Sequence, residues 1–433
     1  MEIEVQKTTI LTPHHVDPHA EPKEIPLNIF DLFASDNNIA VLFAFAAPTP
    51  SNADIIEALS KALLHFPLLT AQLGRTRPHR RPCLILGGGC GGALVVEATV
   101  DAALSDHLPL EPSPDFALLH PSTDGTGHLL QVQLNRFKCG GLVVGAMAHH
   151  RVADGQSMSK FFVAWGRTVR GVPIDPLPLY DQSWLKPRCP TKCEFQHWDL
   201  EFINKKDVFA NSYQKNVHPS EITNVLLSYS SEYIAGNLKA RMKGKYTTFE
   251  TLLAHLWRKI TVARGLDGWD HTSLRVTVNG RPRMRPPVPS AYFGNLVLNA
   301  YPELEVKRLL GEGGLERAAE VIRGAIRKVD ERYFQSVIDF GAMHEEEELV
   351  PVYDTEGNVL SPVVEVDSWL KFEFEEMDFG GGGKLCAFLP SWVPLEGCVI
   401  FVPRVEKDGG INVVVVVLKE EAAKLKQISH SFD

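Results

Sequence analysis

The sequence predicts an α/β fold built on large mixed β-sheets flanked by helices. Three observations predict it. Strand-like and helix-like segments intermix without the regular βαβ cadence of a purely parallel sheet. No repeat of fixed period runs through the chain, which argues against solenoids and propellers. The 433 residues exceed the length, about 250–300, at which a single hydrophobic core stops growing, so two domains are expected.

Along the chain, residues 51–65 read as an amphipathic helix. Ser51 is its cap, Asp54 sits in the first turn, and Ile55, Leu59, Ala62 and Leu63 form the apolar stripe before Pro67 ends it. Residues 75–82 (RTRPHRRP) read as a solvated turn feeding a strand at 84–86, and the glycine run 87–92 as a hairpin tip. That run lacks the Lys-Ser/Thr and helix of a P-loop. Residues 129–137 alternate as a strand. Residues 141–148 (GLVVGAMA) are an unbroken apolar run, suited to a strand buried on both faces. A helix at 156–171 follows, then an aperiodic stretch from Pro173 to about His197, rich in Pro, Trp and charge, that reads as a crossover.

The second half restarts with the strand-like LLSYS, then a helix over 248–264 capped by Thr247 or Thr248. Next come a strand through Leu274, Val276 and Val278, one long helix over 315–332, and an acidic turn, HEEEE. Further strands are expected near 363–374, 384–389, 398–403 and 411–418. The division drawn from this is a first domain over 1–185, a crossover over 186–215 and a second domain over 216–433, with possible exchange of 360–395 into the first.

Composition narrows the function. With 44 Lys+Arg against 53 Asp+Glu the formal net charge is −9, without the positive surplus of a nucleic-acid binder. Seven scattered cysteines, an odd number, suit free thiols in a reducing compartment. The only close pair, Cys189 and Cys193, has no second pair to complete a zinc site. The segment MEIEVQKTTI is unlike a secretory signal. Apolar runs such as 413–418 fall far short of the roughly 18 residues a membrane span needs. A soluble, cytosolic protein without metal, membrane or nucleic-acid partner is expected.

The segment richest in chemistry is AHHRVADG, 148–155. Polar residues directly after a buried strand lie at the sheet edge, where ligands commonly bind. His150 and Asp154 are four apart, a spacing that shares a face on a helix; Gly155 and the preceding strand favour a loop instead, which lets Asp154 point away. Buried core histidines, or Asp154 as a plain helix cap, fit the same segment. Metal chelation fits poorly, because adjacent histidines on an extended segment point to opposite faces.

Three further motifs follow in order: NGRPR (279–283), YFGN (292–295) and DFGGG (378–382). Together with HHRVADG, and with FPLL after the first helix, HLWR at 255–258 and PLEG near Leu395, they resemble the plant BAHD acyltransferases across nearly the whole chain. That resemblance implies two chloramphenicol-acetyltransferase-like domains with an active-site channel between them. It implies acyl transfer from a coenzyme A thioester to an alcohol or amine, with the acyl-CoA as co-substrate, no cofactor, and a monomer. His150 is then the general base; a histidine side chain has a reference pKa of about 6.5 and suits that task. Asp154 is the structural aspartate that turns away and pairs with Arg281. Coenzyme A is placed near Lys243, Lys245 and Thr248, at a helix N-terminus that attracts phosphate, although simple capping explains those threonines nearly as well. Asn295, Asp378 and Gly380 are structural. The family commonly has Trp where Gly381 stands. This glycine-rich form resembles the branch that acylates amines such as agmatine, putrescine, tyramine or tryptamine with hydroxycinnamoyl or benzoyl groups.

A second clue for an amine comes from VVEVDSWLKFEF, 363–374. Read as one strand of period two, it puts Glu365, Asp367, Trp369, Lys371 and Glu373 on one face. If that face lines the channel, Asp367, Trp369 and Glu373 hold a distal ammonium by ion pairing and cation–π contact, the latter about 0.5–2 kcal/mol. A solvated outer face is the plain alternative; in the family, the stretch matching Asp367-Ser368-Trp369 borders the acceptor. Other functions stay open: an O-acyltransferase, for which an Arg clamp is expected where Lys371 is the only cation, a non-catalytic acyl-CoA- or amine-binding homologue, and a peptide-synthetase condensation domain, which would need carrier domains.

Overall fold

The computed structural model describes residues 2–12, 21–75, 81–88, 91–122, 127–210, 215–268 and 270–432. The readings of 75–82, 87–92 and 186–215 therefore fall partly, and Cys90 wholly, outside the described residues.

Two sheets organise the chain. Among the described residues the first has six strands, in the order Ile3–Leu11, Ala93–Val100, Leu130–Phe137, Leu142–His149, Asn38–Phe45, Leu385–Pro390. The second has seven: Ile222–Tyr229, Ile411–Leu418, Cys398–Pro403, Val363–Ser368, His271–Asn279 and Val297–Ala300 in order, with Glu303–Glu305 also beside His271–Asn279. Both are mixed. Ala93–Val100 runs parallel to Leu130–Phe137, and Val363–Ser368 runs parallel to both of its neighbours. The late strand Leu385–Pro390 pairs antiparallel with Asn38–Phe45, Phe388 opposite Phe43, so the second half of the chain supplies an edge of the first sheet.

Helices cover one face of each sheet. Asn52–Leu63, capped by Ser51, packs on Gly155–Val169, where Trp165 Nε1 donates to Ile55 O at 3.0 Å. In the second half, Thr248–Ala263 packs between Gly314–Lys328 and Lys419–Ile428, with its Phe249 ring 5.1 Å from that of Phe401. The face of the second sheet beneath these helices is apolar: Leu274, Val276, Val278, Val364 and Val366 are all buried. The opposite face carries Arg275, Thr277, Asn279, Glu365 and Asp367, because side chains alternate along a strand.

Two expectations are corrected. The helix over 315–332 is two helices, Gly314–Lys328 and Glu331–Met343. Asp330 ends the run because its side chain accepts Tyr333 N at 3.1 Å and starts the second helix as its cap. The strand over 363–374 stops at Ser368. After Trp369 N donates to Phe401 O at 2.8 Å the chain turns, Phe372 N donating back to Trp369 O at 3.0 Å. The Trp369 ring folds against Phe374, 5.6 Å away. Trp369 and Glu373 thus leave the face shared by Glu365 and Asp367.

Candidate functional site

The site grows from Leu142–His149, buried along all but its last residue. Gly145 permits this: a Cβ there would lie 2.0 Å from Leu119 O, so only glycine lets the covering segment rest on the strand. At the strand end His149 N donates to Leu129 O and His150 N to Asn37 O, both at 2.9 Å. The turn closes with Val152 N donating to His149 O at 3.0 Å, and Asp154 caps helix Gly155–Val169 by accepting Ser157 N at 3.0 Å. Gly155 is again a close approach, since a Cβ would meet the Phe372 ring at 2.4 Å.

Asp154 and Arg281 form a buried bidentate pair, each 2% exposed, at 2.7 and 3.1 Å. Asp154 Oδ2 also accepts Leu296 N at 3.0 Å. Arg281 Nη2 reaches Ser157 Oγ and the carbonyls of Tyr292 and Gly294. One ion pair therefore ties HHRVADG, NGRPR and YFGN together, and every contact of the Asp154 carboxylate is with main chain or Arg281. The His150 ring is different: half-buried, with Nδ1 enclosed and without a hydrogen-bond partner. Asn295 holds the loop by donating from Nδ2 to His150 O at 2.9 Å.

Beside the His149-His150 turn stand two carboxylates, Asp36 and Asp354, among several cations. Asp36 pairs with Arg151 at 3.0 Å and His149 at 3.4 Å, and these contacts, His149 foremost, hold its carboxyl low. Asp36 N donates to Asp354 at 3.2 Å, and the Asp354 carboxyl is pushed up to about 6 chiefly by desolvation. Both border a cavity of about 410 Å³ that Arg75, Lys205 and Glu348 also line. Beyond it, on the helix-free face of the second sheet, Arg275 bridges Glu356 and Glu365 at 2.8 and 2.9 Å. Next to them Thr277 Oγ1 donates to Asp367 at 2.6 Å. The Asn279 amide then donates to Gln156 Oε1, which closes the wall on the first turn of helix Gly155–Val169. Glu365 is pushed up to about 7, mainly by burial, with Asp367 and Glu356 raising it and Arg275 opposing.

The other predicted residues are dispersed. Glu373 is engaged with Lys160 at 2.6 Å, and Trp369 is 7% exposed in an aromatic cluster. Asp378 pairs with Arg170 at 2.9 Å, and its Oδ1 accepts Gly380 N at 2.7 Å. This lies at the far end of the helix from Gly155, about 22 Å away at 1.5 Å per residue. Thr248 is the first helical residue after the cap Thr247, Lys243 is exposed in a left-handed turn, and Lys245 reaches Glu316 at 3.1 Å. Sequence reasoning missed Asp31, Asp36, Asp354 and Glu356. Of these only Asp31 carries a local signal, the capping-box spacing from Asn28. Among the described residues no group of three or more His, Cys, Asp or Glu is placed to hold a metal ion, and no helix is long and apolar enough to cross a membrane.

A family model described as the Transferase family matches residues 1–431. Agmatine hydroxycinnamoyltransferase 1 of Oryza sativa subsp. japonica is 37% identical over 98% of both chains. Tryptamine hydroxycinnamoyltransferase 2 of the same plant is 38% identical over 100% of this chain and 99% of its own. The crystal structure of vinorine synthase superposes with a TM-score of 0.72 at 20% identity, covering 98% of this chain and 96% of its own.

Proposed function

Because the chain belongs to the Transferase family, the BAHD acyltransferases that its motifs resemble, we propose that it moves a hydroxycinnamoyl or benzoyl group from coenzyme A to a primary amine. The amine nitrogen attacks the thioester carbonyl carbon, and the His150 imidazole takes a proton from that nitrogen as the C–N bond forms. The tetrahedral intermediate then expels the coenzyme A sulfur, which receives the proton from His150, so amide and thiol leave and the base is regenerated. No acyl-enzyme forms. Asp154 and Arg281 hold the loop that presents His150. Lys243, Lys245 and Thr248 take the nucleotide end of coenzyme A. No cofactor is needed, and the protein works as a cytosolic monomer.

The amine half of the reading is carried by one observation. Glu365 and Asp367 share one face of the second sheet, Arg275 bridges Glu365 to Glu356, and Asn279 of that same face donates to Gln156 in the first turn of the helix that Asp154 caps. That wall keeps a surplus of negative charge, complementary to the distal cation of a diamine or guanidino-amine and hostile to a carboxylated alcohol. A mass-spectrometric screen of purified protein against acyl-CoA thioesters crossed with amines and alcohols, with His150→Ala as control, tests it. Amide products that vanish in the variant support the reading; ester products alone, or no product, overturn it.

A further inference from the structure

The main chain at His150 is held from two sides. Its N–H donates to Asn37 O at 2.9 Å, and its carbonyl accepts from Asn295 Nδ2 at 2.9 Å. The same amide nitrogen donates to Asp31 Oδ1 at 3.0 Å. A carboxamide nitrogen has two hydrogens, and both are thereby committed. A main-chain carbonyl only accepts, so the nitrogen must be the atom of Asn295 that faces His150. The second oxygen of Asp31 accepts Asn28 N at 3.0 Å, closing the capping box of the buried helix Ile29–Phe33. Each carboxylate oxygen of Asp31 thus accepts from an N–H group.

We propose that Asp31 is a positioning residue whose carboxylate, acting through Asn295, fixes the main chain that carries His150, and that this hold works only while Asp31 is ionised. The proposal rests on His150 being the base of the reaction above. A proton on Asp31 removes the negative charge that both donors face, so the capping box and the Asn295 contact both weaken. Asn295 Oδ1 is fully buried and without a partner. It becomes the acceptor for a carboxyl hydrogen if the amide turns over, and that turn takes Nδ2 away from His150 O.

The surroundings of Asp31 make its ionisation sensitive. It is 6% exposed, and the groups facing it are Asn28, Asn295, Tyr292 and the like charge of Asp154, whose guanidinium partner Arg281 is already committed. Burial pushes its carboxyl up to about 7 against the lowering effect of the hydrogen bonds from Asn295 and Asn28. The tie would therefore loosen just below neutral pH.

The test measures kcat, both KM values and their pH dependence for wild type, Asp31→Asn and Asn295→Ala. It also follows modification of His150 by diethyl pyrocarbonate against pH, read on its own peptide by mass spectrometry. Both variants are expected to lose about 10- to 100-fold in kcat, the penalty of a slightly misplaced catalytic group, while both KM values stay within about twofold. Both should also lose the acid-side transition that wild type shows near pH 7 in addition to the titration of His150 itself. Wild-type kcat in Asp31→Asn overturns the proposal, and so does a lower kcat with an unchanged pH profile, which a purely structural part would produce. Should Asp31→Asn not fold, Asn295→Ala, which keeps the capping box, decides by the same readings. A wild type without amine turnover defeats the proposed reaction, whereas the modification profile still judges Asp31 independently.

Discussion

Two histidines of this chain teach opposite lessons. His197 is 1% exposed, with Nδ1 2.9 Å from Glu201 Oε2 and Nε2 2.8 Å from Ser336 Oγ. Taken by distances alone, that is the Ser-His-acid arrangement of a hydrolase. Yet Ser336 Oγ already accepts the N–H groups of Glu194 and Phe195 at 2.9 and 3.1 Å, Tyr333 donates to Glu201, and Ser336 and Glu201 are fully buried. Every polar atom of the trio is occupied by the chain itself, and it fastens the crossover to helix Glu331–Met343. At His150 the side chain is held only by its main chain, the ring is half-buried and Nδ1 has no partner. Saturation with internal hydrogen bonds marks His197 as structural, whereas His150, left short of partners at a sheet edge, is available for the role of base proposed above.

The sharpest way to break this contrast is to remove each ring. His150→Ala should leave the fold intact and lower kcat by at least about 10²–10⁴-fold, the usual worth of a positioned base. His197→Ala should do the reverse: it strands Glu201 and Ser336 in the interior at a cost of about 1–3 kcal/mol, lowering the thermal midpoint while kcat per folded molecule holds. A comparable loss of kcat in both would erase the distinction. Next in size is Asp154→Ala. It leaves the Arg281 guanidinium buried without its carboxylate, a loss of about 3–5 kcal/mol. Denaturant unfolding should show it, and activity should fall because the His150 loop shifts; a variant as stable and active as wild type would refute the role given to that pair.

How far the sequence alone reaches follows from the range of the forces involved. Strands 398–403 and 411–418 coincide with Cys398–Pro403 and Ile411–Leu418 because continuous apolar runs bounded by turns are local signals. Ile3–Leu11 was missed: an edge strand exposed along most of its length has no apolar stripe to display. Asn38–Phe45 was missed for the opposite reason, since burial of both faces over its second half erases the alternation. At the site, His150, Asp154 and Arg281 were legible because sequence motifs carry them. Asp354 sits in the short 3-10 turn Val352–Thr355 and Glu356 just after it, with no apolar pattern to announce either, and only the parallel pairing of Val363–Ser368 with His271–Asn279 brings Glu365 against Arg275. Trp369 was misassigned because strict alternation continued in the sequence past the point where Trp369–Phe374 packing ended the strand.

The acidic wall makes the contrast quantitative on the substrate side. Glu365→Gln should raise the KM of a diamine about tenfold, the worth of one ion pair of some 1.4 kcal/mol, and leave the acyl-CoA KM unchanged. Burial foremost raises Glu365 from 4.5 to about 7. A carboxyl raised in the folded state favours the fold at low pH, and that contribution fades as pH climbs from about 4.5 through about 7. Stability without amine should therefore decline over that window in wild type and stay flatter in Glu365→Gln, while the diamine KM of wild type should fall as Glu365 ionises. Equal shifts in both KM values would detach Glu365 from the acceptor.

The smallest effect is expected at the coenzyme A end. Lys245 is 54% exposed on its side chain and pairs with Glu316, 58% exposed, so the pair itself adds little to stability. The amides of the adjacent helix are partly answered already, Thr247 and Glu250 closing a capping box and Arg323 balancing Glu250 at 2.6 Å. Any phosphate drawn here meets a helix start whose first donors are in use, and so gains mainly from the lysine charge. Lys245→Ala should accordingly raise the acyl-CoA KM by only a few-fold, as for an exposed charge that salt screens, with kcat and the amine KM untouched. The increase should shrink further in high salt. An amine KM that moved with it would mean that the cationic helix start and the acidic wall serve the same ligand, and the two ends of the site would have to be redrawn.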